Sequence, residues 1–468
     1  MMDTTLDDSA ENLSIVRLGE RFRNKTLTSE ILTRRLLDRI SQLDGTIHAF
    51  ITVTAEKAIA DARRADEELA RGKDRGLMHG IPYGLKDIID ARGIRTTCHS
   101  RLLLDNVPET DSAVNARLQE NGGVLLGKLL TSEFAAHGPD FSLPFPPARN
   151  PWNTERYTSG SSSGSAVAVA SRFMRVAVGS DTSGSIRGPA AFCGTVGLKP
   201  TFGRVSRRGI FPMAFSLDHC GLLSTSVEDA AVTLQSIAGF DPEDPASVNE
   251  PVPNYLQDLN RGVQGLRIGV PRHFFEGLSH LQPAILREFD RVIATLIDVG
   301  ASIEDVVMDD LEVFVACCRV IQEAEAAAVH DADLRERLSD YGVFTQQRFV
   351  VGATLTAVDL VQAYRVRREL TRRMNSLLQR YDGFLMIGAL TTAPLFSEIS
   401  NGPPSSANQF APMNVTGHPT MAVPTGLAPD GLPMGIQVVG RAFDEATVFR
   451  IGQAIELSSG WRKVALPI

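Results

Sequence analysis

The sequence contains the stretch Gly179-Ser180-Asp181-Thr182-Ser183-Gly184-Ser185-Ile186-Arg187, which follows the short apolar run Arg175–Val178. Such a run is typical of a buried strand, and a strand that ends in a Ser/Gly-rich turn holds that turn at one edge of a sheet. Ligands of open α/β sheets bind at the carboxyl ends of the strands. This stretch therefore predicts both the fold class and the place of a functional site.

A second Ser/Gly-rich turn lies upstream, at Ser159-Gly160-Ser161-Ser162-Ser163-Gly164-Ser165. The two turns flank one predicted strand and bring several hydroxyl groups and many backbone N–H groups together. A serine nucleophile and an oxyanion hole can be built from such groups. A single turn of this kind is more often a flexible surface turn, but the pair favours a site.

Composition and charge are those of an ordinary globular protein. The 468 residues are 43% apolar and 22% charged, and the net charge is −8. Because there is no dense basic run, we expect no nucleic-acid partner. No run of 18 or more apolar residues occurs, so we expect no membrane contact and a cytoplasmic location. The five cysteines are scattered without a CxxC pair, so we expect no metal site, and a homodimer is left open.

The order of predicted elements indicates an α/β protein. Brief apolar runs alternate with helical segments and Gly-rich turns, which is the pattern of a sheet with helices on both faces. We predict a single large domain over residues 1–468 with a central mixed β-sheet. Its core comprises about 60–240 and 380–468, and a helical insertion or cap covers about 270–380. The predicted elements are helices at 14–43, 55–71 and 283–300 and strands at 80–89, 124–126, 175–178, 266–270, 384–387 and 435–439.

Lys86 is an unusual residue because it lies within an apolar segment, between Leu85 and Asp87. Its side chain could extend to solvent or pair with Asp87. If it is buried instead, desolvation lowers its pKa and leaves a neutral amine that can act as a base. Lysine is a known replacement for histidine beside a serine nucleophile.

Two further patterns compete with this interpretation. Residues 160–164 match the Gly-x-Ser-x-Gly turn of α/β-hydrolases, with Ser162 as the nucleophile, but a loop rather than a strand precedes them. Residues 122–128 have the spacing of a phosphate-binding loop, but Leu129 stands where a Ser or Thr should bind magnesium. We favour structural roles for two histidines, His219 and His418.

Together, the motifs resemble those of the amidase signature family. That family carries a lysine in a Gly-[Ile/Val]-Pro-x-x-x-Lys-Asp segment, a Gly/Ser-rich stretch, and a Gly-Ser-Asp-Thr-Gly-Gly-Ser-Ile-Arg stretch. Here the three correspond to residues 80–87, 159–165 and 179–190, and the match extends over about 14–465. The resemblance implies the amidase signature fold and hydrolysis of a carboxylic amide to an acid plus an amine or ammonia. It implies no metal and no organic cofactor.

The resemblance also implies roles for individual residues. Ser185 corresponds to the nucleophile that forms the acyl-enzyme, Ser161 to a bridging serine in a cis peptide, and Lys86 to the base. Ser183 departs from the family's usual glycine and is tolerated if its φ is negative. The expected oxyanion hole consists of the backbone N–H groups of Thr182, Ser183, Gly184 and Ser185.

The substrate is less clearly encoded. Two apolar and aromatic segments, 141–147 and 211–215, could wall a pocket. On that basis we expect a small apolar or aromatic amide as substrate, with carbamates and esters as side substrates. One alternative is the catalytic A-type subunit of a tRNA-dependent glutamine amidotransferase, which would pass ammonia from glutamine to a partner protein. The other is a non-catalytic scaffold, against which the intact Lys86, Ser161 and Ser185 argue.

Overall fold

The computed structural model describes residues 12–136, 138–399, 409–461 and 464. The strands are β1 (Phe50–Val53), β2 (Pro82–Lys86), β3 (Val124–Leu129), β4 (Val176–Asp181), β5 (Val196–Lys199), β6 (His219–Ser224), β7 (Arg267–Val270), β8 (Ser302–Asp305), β9 (Gly383–Ile387), β10 (Thr420–Leu427) and β11 (Pro433–Val439). The helices are α1 (Ile15–Arg23), α2 (Ser29–Ile47), α3 (Ala55–Ala70), α4 (Ala113–Glu120), α5 (Ser163–Ala170), α6 (Arg187–Cys193), α7 (Val227–Ile237), α8 (Pro283–Asp298), α9 (Leu311–Val329), α10 (Asp331–Glu336), α11 (Val343–Ala353), α12 (Ala357–Leu378), α13 (Ala411–Thr416) and α14 (Glu445–Ser459).

All eleven strands belong to one mixed sheet, in the order β1-β3-β2-β4-β6-β5-β10-β11-β9-β7-β8. The centre of the sheet is fully buried, and helices cover both of its faces. β10 pairs antiparallel with β5, so the N-terminal half and the last ninety or so residues share this sheet, as the sequence predicts. The arrangement confirms the predicted fold class.

Two parallel strands place the functional motifs. β2 and β4 lie side by side and run in the same direction, with Leu85 opposite Val178. The carboxyl ends of neighbouring parallel strands meet at the same edge of a sheet. Lys86, the last residue of β2, therefore lies beside the Ser/Gly-rich turn that follows β4.

The upstream Ser/Gly-rich turn reaches the same edge through α5. This helix begins at Ser163, and all eight of its residues are buried. Gly164 allows the close approach, because a Cβ at this position would lie 2.3 Å from the backbone nitrogen of Leu130. The second turn is thereby held against the end of β3.

The predicted helical insertion has a different beginning from the one expected. β7, α8 and β8 form a strand–helix–strand unit in which β7 pairs parallel with both β8 and β9, so this part extends the sheet. Only α9 to α12 (residues 311–378) form a helical layer, which we call the cap. Within the described ranges no single helix is long and apolar enough to cross a membrane. α11 and α12, bent by 94° to each other, meet that criterion only as a pair.

The N-terminal helix predicted over residues 14–43 is two helices. α1 ends at Arg23 and is capped by Asn24, whose backbone N–H donates to the carbonyl of Glu20, and α2 begins after Thr28. The side chain of Thr28 accepts the N–H of Ile31 and thus caps the second helix. A polar capping residue inside a helical pattern marks this break.

Candidate active site

Lys86 and Ser161 are in direct contact. Lys86 is fully buried, and its Nζ donates hydrogen bonds to Ser161 Oγ at 2.6 Å and to Ser180 Oγ at 2.8 Å. The peptide bond between Gly160 and Ser161 is cis. The structure therefore brings two of the predicted residues together and adds Ser180, a neighbour that the sequence analysis did not assign.

The surroundings of Lys86 favour its neutral form. Burial, opposed only in part by the Asp218 and Asp181 carboxylates, lowers the pKa of Lys86 to about 7. Each carboxylate is held by another group, because Asp181 pairs with Arg187 at 2.9 Å and Asp218 accepts the Thr182 hydroxyl at 2.6 Å. An uncharged amine beside a hydroxyl can accept its proton near neutral pH.

Asp87, the next residue along the chain, does not pair with Lys86. Successive side chains on a strand point to opposite faces, and the carboxylate of Asp87 lies 2.9 Å from Nζ of Lys128 on β3. Both partners of this ion pair are fully buried. Lys128 is thus part of a structural ion pair. The spacing of residues 122–128 therefore does not indicate a phosphate-binding loop in this chain.

The turn after β4 is shaped by the Asp181 carboxylate. Although burial opposes its ionisation, the charge and hydrogen bonds of Arg187 hold the pKa of Asp181 well below its usual range. Asp181 Oδ1 accepts the backbone N–H of Gly184 at 2.7 Å, so that donor is already occupied. Three of the four expected oxyanion donors make no hydrogen bond within the described part of the chain: Thr182, Ser183 and Ser185.

The departure at Ser183 is compatible with this turn. Ser183 is not among the residues with positive φ, so the condition set by the sequence analysis is met. The position that requires glycine is Gly184, which has a φ of +118°. A Cβ there would also lie 2.7 Å from the side chain of Phe410.

Ser162 and Ser185 have different environments. Ser162 is fully buried, its hydroxyl donates to the carbonyl of Ser180 at 3.1 Å, and it accepts the Ser180 N–H at 3.3 Å. Ser185 is partly exposed at the start of α6, and its carbonyl accepts the N–H of Ser162 at 3.1 Å. No strand ends directly before Ser162, since β3 ends at Leu129, so the hydrolase-type turn is not formed. The geometry favours Ser185 over Ser162 as an accessible hydroxyl.

The cap contributes two polar side chains to this edge of the sheet. Gln322 on α9 reaches Ser183 Oγ with its Nε2 at 3.5 Å. Arg348 on α11 donates to Gln322 Oε1 at 2.6 Å and to the carbonyl of Ala136 at 2.5 Å, and it forms no ion pair with any carboxylate of the described ranges. The sequence analysis missed both residues, because isolated polar residues in a helical segment give no pattern.

The two apolar segments considered as pocket walls line different cavities. Phe211, Met213 and Phe215 line a cavity of about 210 Å³ that extends to Ser180 and Asp218. Leu143 and Pro147, from the other segment, line a separate cavity of about 20 Å³ beside Ser159. Ser185 lines neither of these two cavities.

Curated relatives revise the expected substrate and partners. The A-type subunit of the glutamyl-tRNA(Gln) amidotransferase from Geobacter sp. (strain M21) is 37% identical over 98% of this chain and 99% of its own. We expected a small apolar or aromatic amide as the substrate and no nucleic-acid partner. That expectation is wrong, because the relatives are subunits of an enzyme that is named for a tRNA, and they favour the amidotransferase alternative. An acidic net charge argues against a large RNA-binding surface on this chain alone, but not against a role in an assembly that acts on RNA.

Solved structures and a family model identify the family of this chain. One structure is of a vestigial protein complex said to reveal the evolutionary origins of an s-triazine catabolic enzyme. It has a TM-score of 0.90 and 33% identity, covering 95% of this chain and 98% of the other. Peptide amidase from Stenotrophomonas maltophilia has a TM-score of 0.83 and 30% identity, covering 96% and 97%. The Amidase family model matches residues 31–449. This chain therefore belongs to the amidase family.

Proposed function

We propose that this chain hydrolyses the side-chain amide of glutamine and acts as the A-type subunit of a tRNA-dependent glutamine amidotransferase. The observation that carries the hydrolytic part is the contact between the buried amine of Lys86 and Ser161. It lies next to a turn in which three N–H groups have no hydrogen-bond partner among the described residues. The names of the relatives support the assembly.

The proposed reaction begins with proton transfer along the three side chains. In its neutral form Lys86 accepts the proton of the Ser161 hydroxyl, and Ser161 takes the proton of Ser185. The Ser185 oxygen attacks the amide carbon and forms the tetrahedral intermediate. The free N–H groups of the turn then stabilise its oxyanion, each contributing about 3–4 kcal/mol by analogy with other oxyanion holes.

Collapse of the intermediate releases ammonia. The proton held by Lys86 returns through Ser161 to the amide nitrogen as the C–N bond breaks, which leaves an ester on Ser185. Water then attacks the ester and gives a proton through Ser161 to Lys86. This proton returns through Ser161 to the Ser185 oxygen as the ester bond breaks, so that glutamate leaves and the three side chains regain their initial protonation states.

The charge at the cap supports a substrate that carries a carboxylate. Arg348 provides a guanidinium that is linked through Gln322 to Ser183 of the turn. An arginine without an acidic partner attracts a carboxylate and can bind it with two hydrogen bonds. Glutamine has such a group, whereas a simple apolar amide does not.

Ammonia release from a panel of amides tests this proposal. The chain, alone and co-expressed with the other amidotransferase subunits of its organism, is incubated with glutamine, asparagine, benzamide and butyramide. We expect the highest kcat/KM for glutamine and, with the other subunits present, conversion of glutamyl-tRNA(Gln) to glutaminyl-tRNA(Gln). Ser185→Ala serves as the control and should release no ammonia. Faster turnover of benzamide than of glutamine, without any tRNA conversion, would contradict the proposal.

A further inference from the structure

The outer surface of the cap is unusually apolar. Of the 21 large apolar side chains that are exposed in the described ranges, seven lie within residues 338–366. Val358 and Val361 of α12 are 67% and 57% exposed, and Val350 and Val351 of α11 are each 44% exposed. Soluble proteins seldom concentrate exposed apolar side chains in this way unless the surface binds something.

These valines lie on two helices that each pack against α9. α11 packs against α9 at Gly352, where a Cβ would lie 2.0 Å from the Glu323 carbonyl oxygen, and α12 packs against α9 through Ala363, whose carbonyl accepts the Cys317 thiol. Each helix therefore turns its exposed valines away from α9. Three residues separate the end of α11 from the beginning of α12.

The same face of α12 continues as a basic stripe. Val358, Val361, Arg365 and Arg368 follow one another at spacings of three and four residues, which places them on one side of the helix. α12 contains five arginines and two carboxylates, although the whole chain is acidic. Arg372 pairs with Glu369, whereas Arg365 and Arg368 form no ion pair with a carboxylate of the described residues.

We propose that this surface docks an acidic amphipathic helix of a partner subunit. We call it the valine–arginine face and define it by Val358, Val361, Arg365 and Arg368 of α12. Apolar residues of the partner would cover the valines, and its carboxylates would pair with the two unpaired arginines. An RNA partner is less well matched, because RNA recognition uses extended positive surfaces and stacking aromatic rings rather than valines. The proposal rests on the proposed function, since it assumes that the chain works as one component of an assembly.

Assembly with the co-expressed amidotransferase subunits tests the valine–arginine face. Arg365→Glu combined with Arg368→Glu should raise the Kd of the complex at least about tenfold and reduce its dependence on salt. Val358→Asp combined with Val361→Asp should weaken it similarly. Arg365→Lys combined with Arg368→Lys keeps the charge and should assemble almost normally. Ammonia release by the isolated chain and its Tm should be unchanged in all variants, because the four side chains are exposed and remote from the Ser/Gly-rich turns.

A matched control lies on α8, outside the cap, where Arg287 and Ile297 are also exposed. Arg287→Glu combined with Ile297→Asp should not affect assembly. If the wild-type chain assembles and the cap variants assemble equally well, the docking proposal is wrong while the proposed function stands. If the wild-type chain forms no complex, both are wrong. Loss of tRNA binding or of vesicle binding by the cap variants, with assembly intact, would assign the face to RNA or to a membrane instead.

Discussion

Lys86 Nζ lies 2.6 Å from Ser161 Oγ, and the amine forms no ion pair with a carboxylate of the described residues. The two carboxylates that raise the pKa of Lys86, Asp218 and Asp181, are held by Thr182 and by Arg187. The amine is therefore free to exchange a proton with the hydroxyl. The proposed mechanism depends on this isolation of the lysine from carboxylates.

The first prediction concerns pH. Because the base must be neutral and the pKa of Lys86 is lowered to about 7, kcat/KM should be small below pH 6, rise through a midpoint near 7 and reach a plateau above it. Initial rates of ammonia release between pH 5 and 10 measure this profile. A midpoint near the usual lysine value of 10.5 would show that the amine is not neutral near pH 7, which would contradict the proposed mechanism.

Two of the buried lysines, Lys86 and Lys128, should respond oppositely to replacement by methionine. Lys86→Met should lower kcat by about 10²–10⁴-fold, the usual contribution of a general base. Because the folded-state pKa of Lys86 lies below the unfolded value, its charge destabilises the fold increasingly as the pH falls from 10.5 towards 7. Lys86→Met should therefore raise the Tm at pH 6 and change it little near pH 10.

Lys128→Met provides the matched comparison, since it leaves the Asp87 carboxylate buried without its partner. The free energy of unfolding should fall by about 3–5 kcal/mol. Equal Tm changes for the two methionine variants at pH 6 would mean that Lys86 is also part of a structural pair.

Ser180 should act as a positioning residue for Lys86. Its hydroxyl accepts an N–H of the amine at 2.8 Å and so helps to direct the lone pair towards Ser161. Ser180→Ala should lower kcat/KM about tenfold, which corresponds to the loss of one hydrogen bond from a charged donor. It should also move the midpoint of the pH profile downwards, because the ammonium form loses an acceptor. Ser180→Thr should restore both, whereas an unshifted midpoint in Ser180→Ala would limit Ser180 to a packing role.

Arg348 should determine the preference for an α-carboxylate. Arg348→Met should raise KM for glutamine by about 10- to 100-fold, the value of a hydrogen bond to a charged group, and leave kcat/KM for butyramide unchanged. Arg287→Met on α8 is the control for the loss of one positive charge. If Arg348→Met affects glutamine and butyramide equally, the arginine does not contact the carboxylate.

Much of the fold and the centre of the site could be predicted from the chain itself. The apolar run before Gly179 and the isolated Lys86 in another apolar run both mark buried strands, and parallel neighbours place their carboxyl ends together. Ser180 could have been found by the same reasoning, since it lies near the end of β4 next to Lys86. The partner of Asp87 could not, because Lys128 is 41 residues away and only the strand order brings it close.

The strands that the sequence analysis missed lack a distinct local pattern. β1 and β8 are short and partly exposed. β5, β6 and β10 are buried over all or most of their length and contain glycine. Arg348 and Gln322 were missed for another reason: they reach the site only because the cap folds back over it. The proposed partnership with other proteins left no compositional signal in the acidic net charge of the chain.

The identity of the nucleophilic serine tests the central claim most directly. The chain is treated with an activated fluorophosphonate, digested, and mapped by peptide mass spectrometry. Wild type and Ser162→Ala should carry one adduct on Ser185, Lys86→Met should react far more slowly, and Ser185→Ala should carry none. An adduct on Ser162, or undiminished labelling of Ser185→Ala, would contradict the proposed relay.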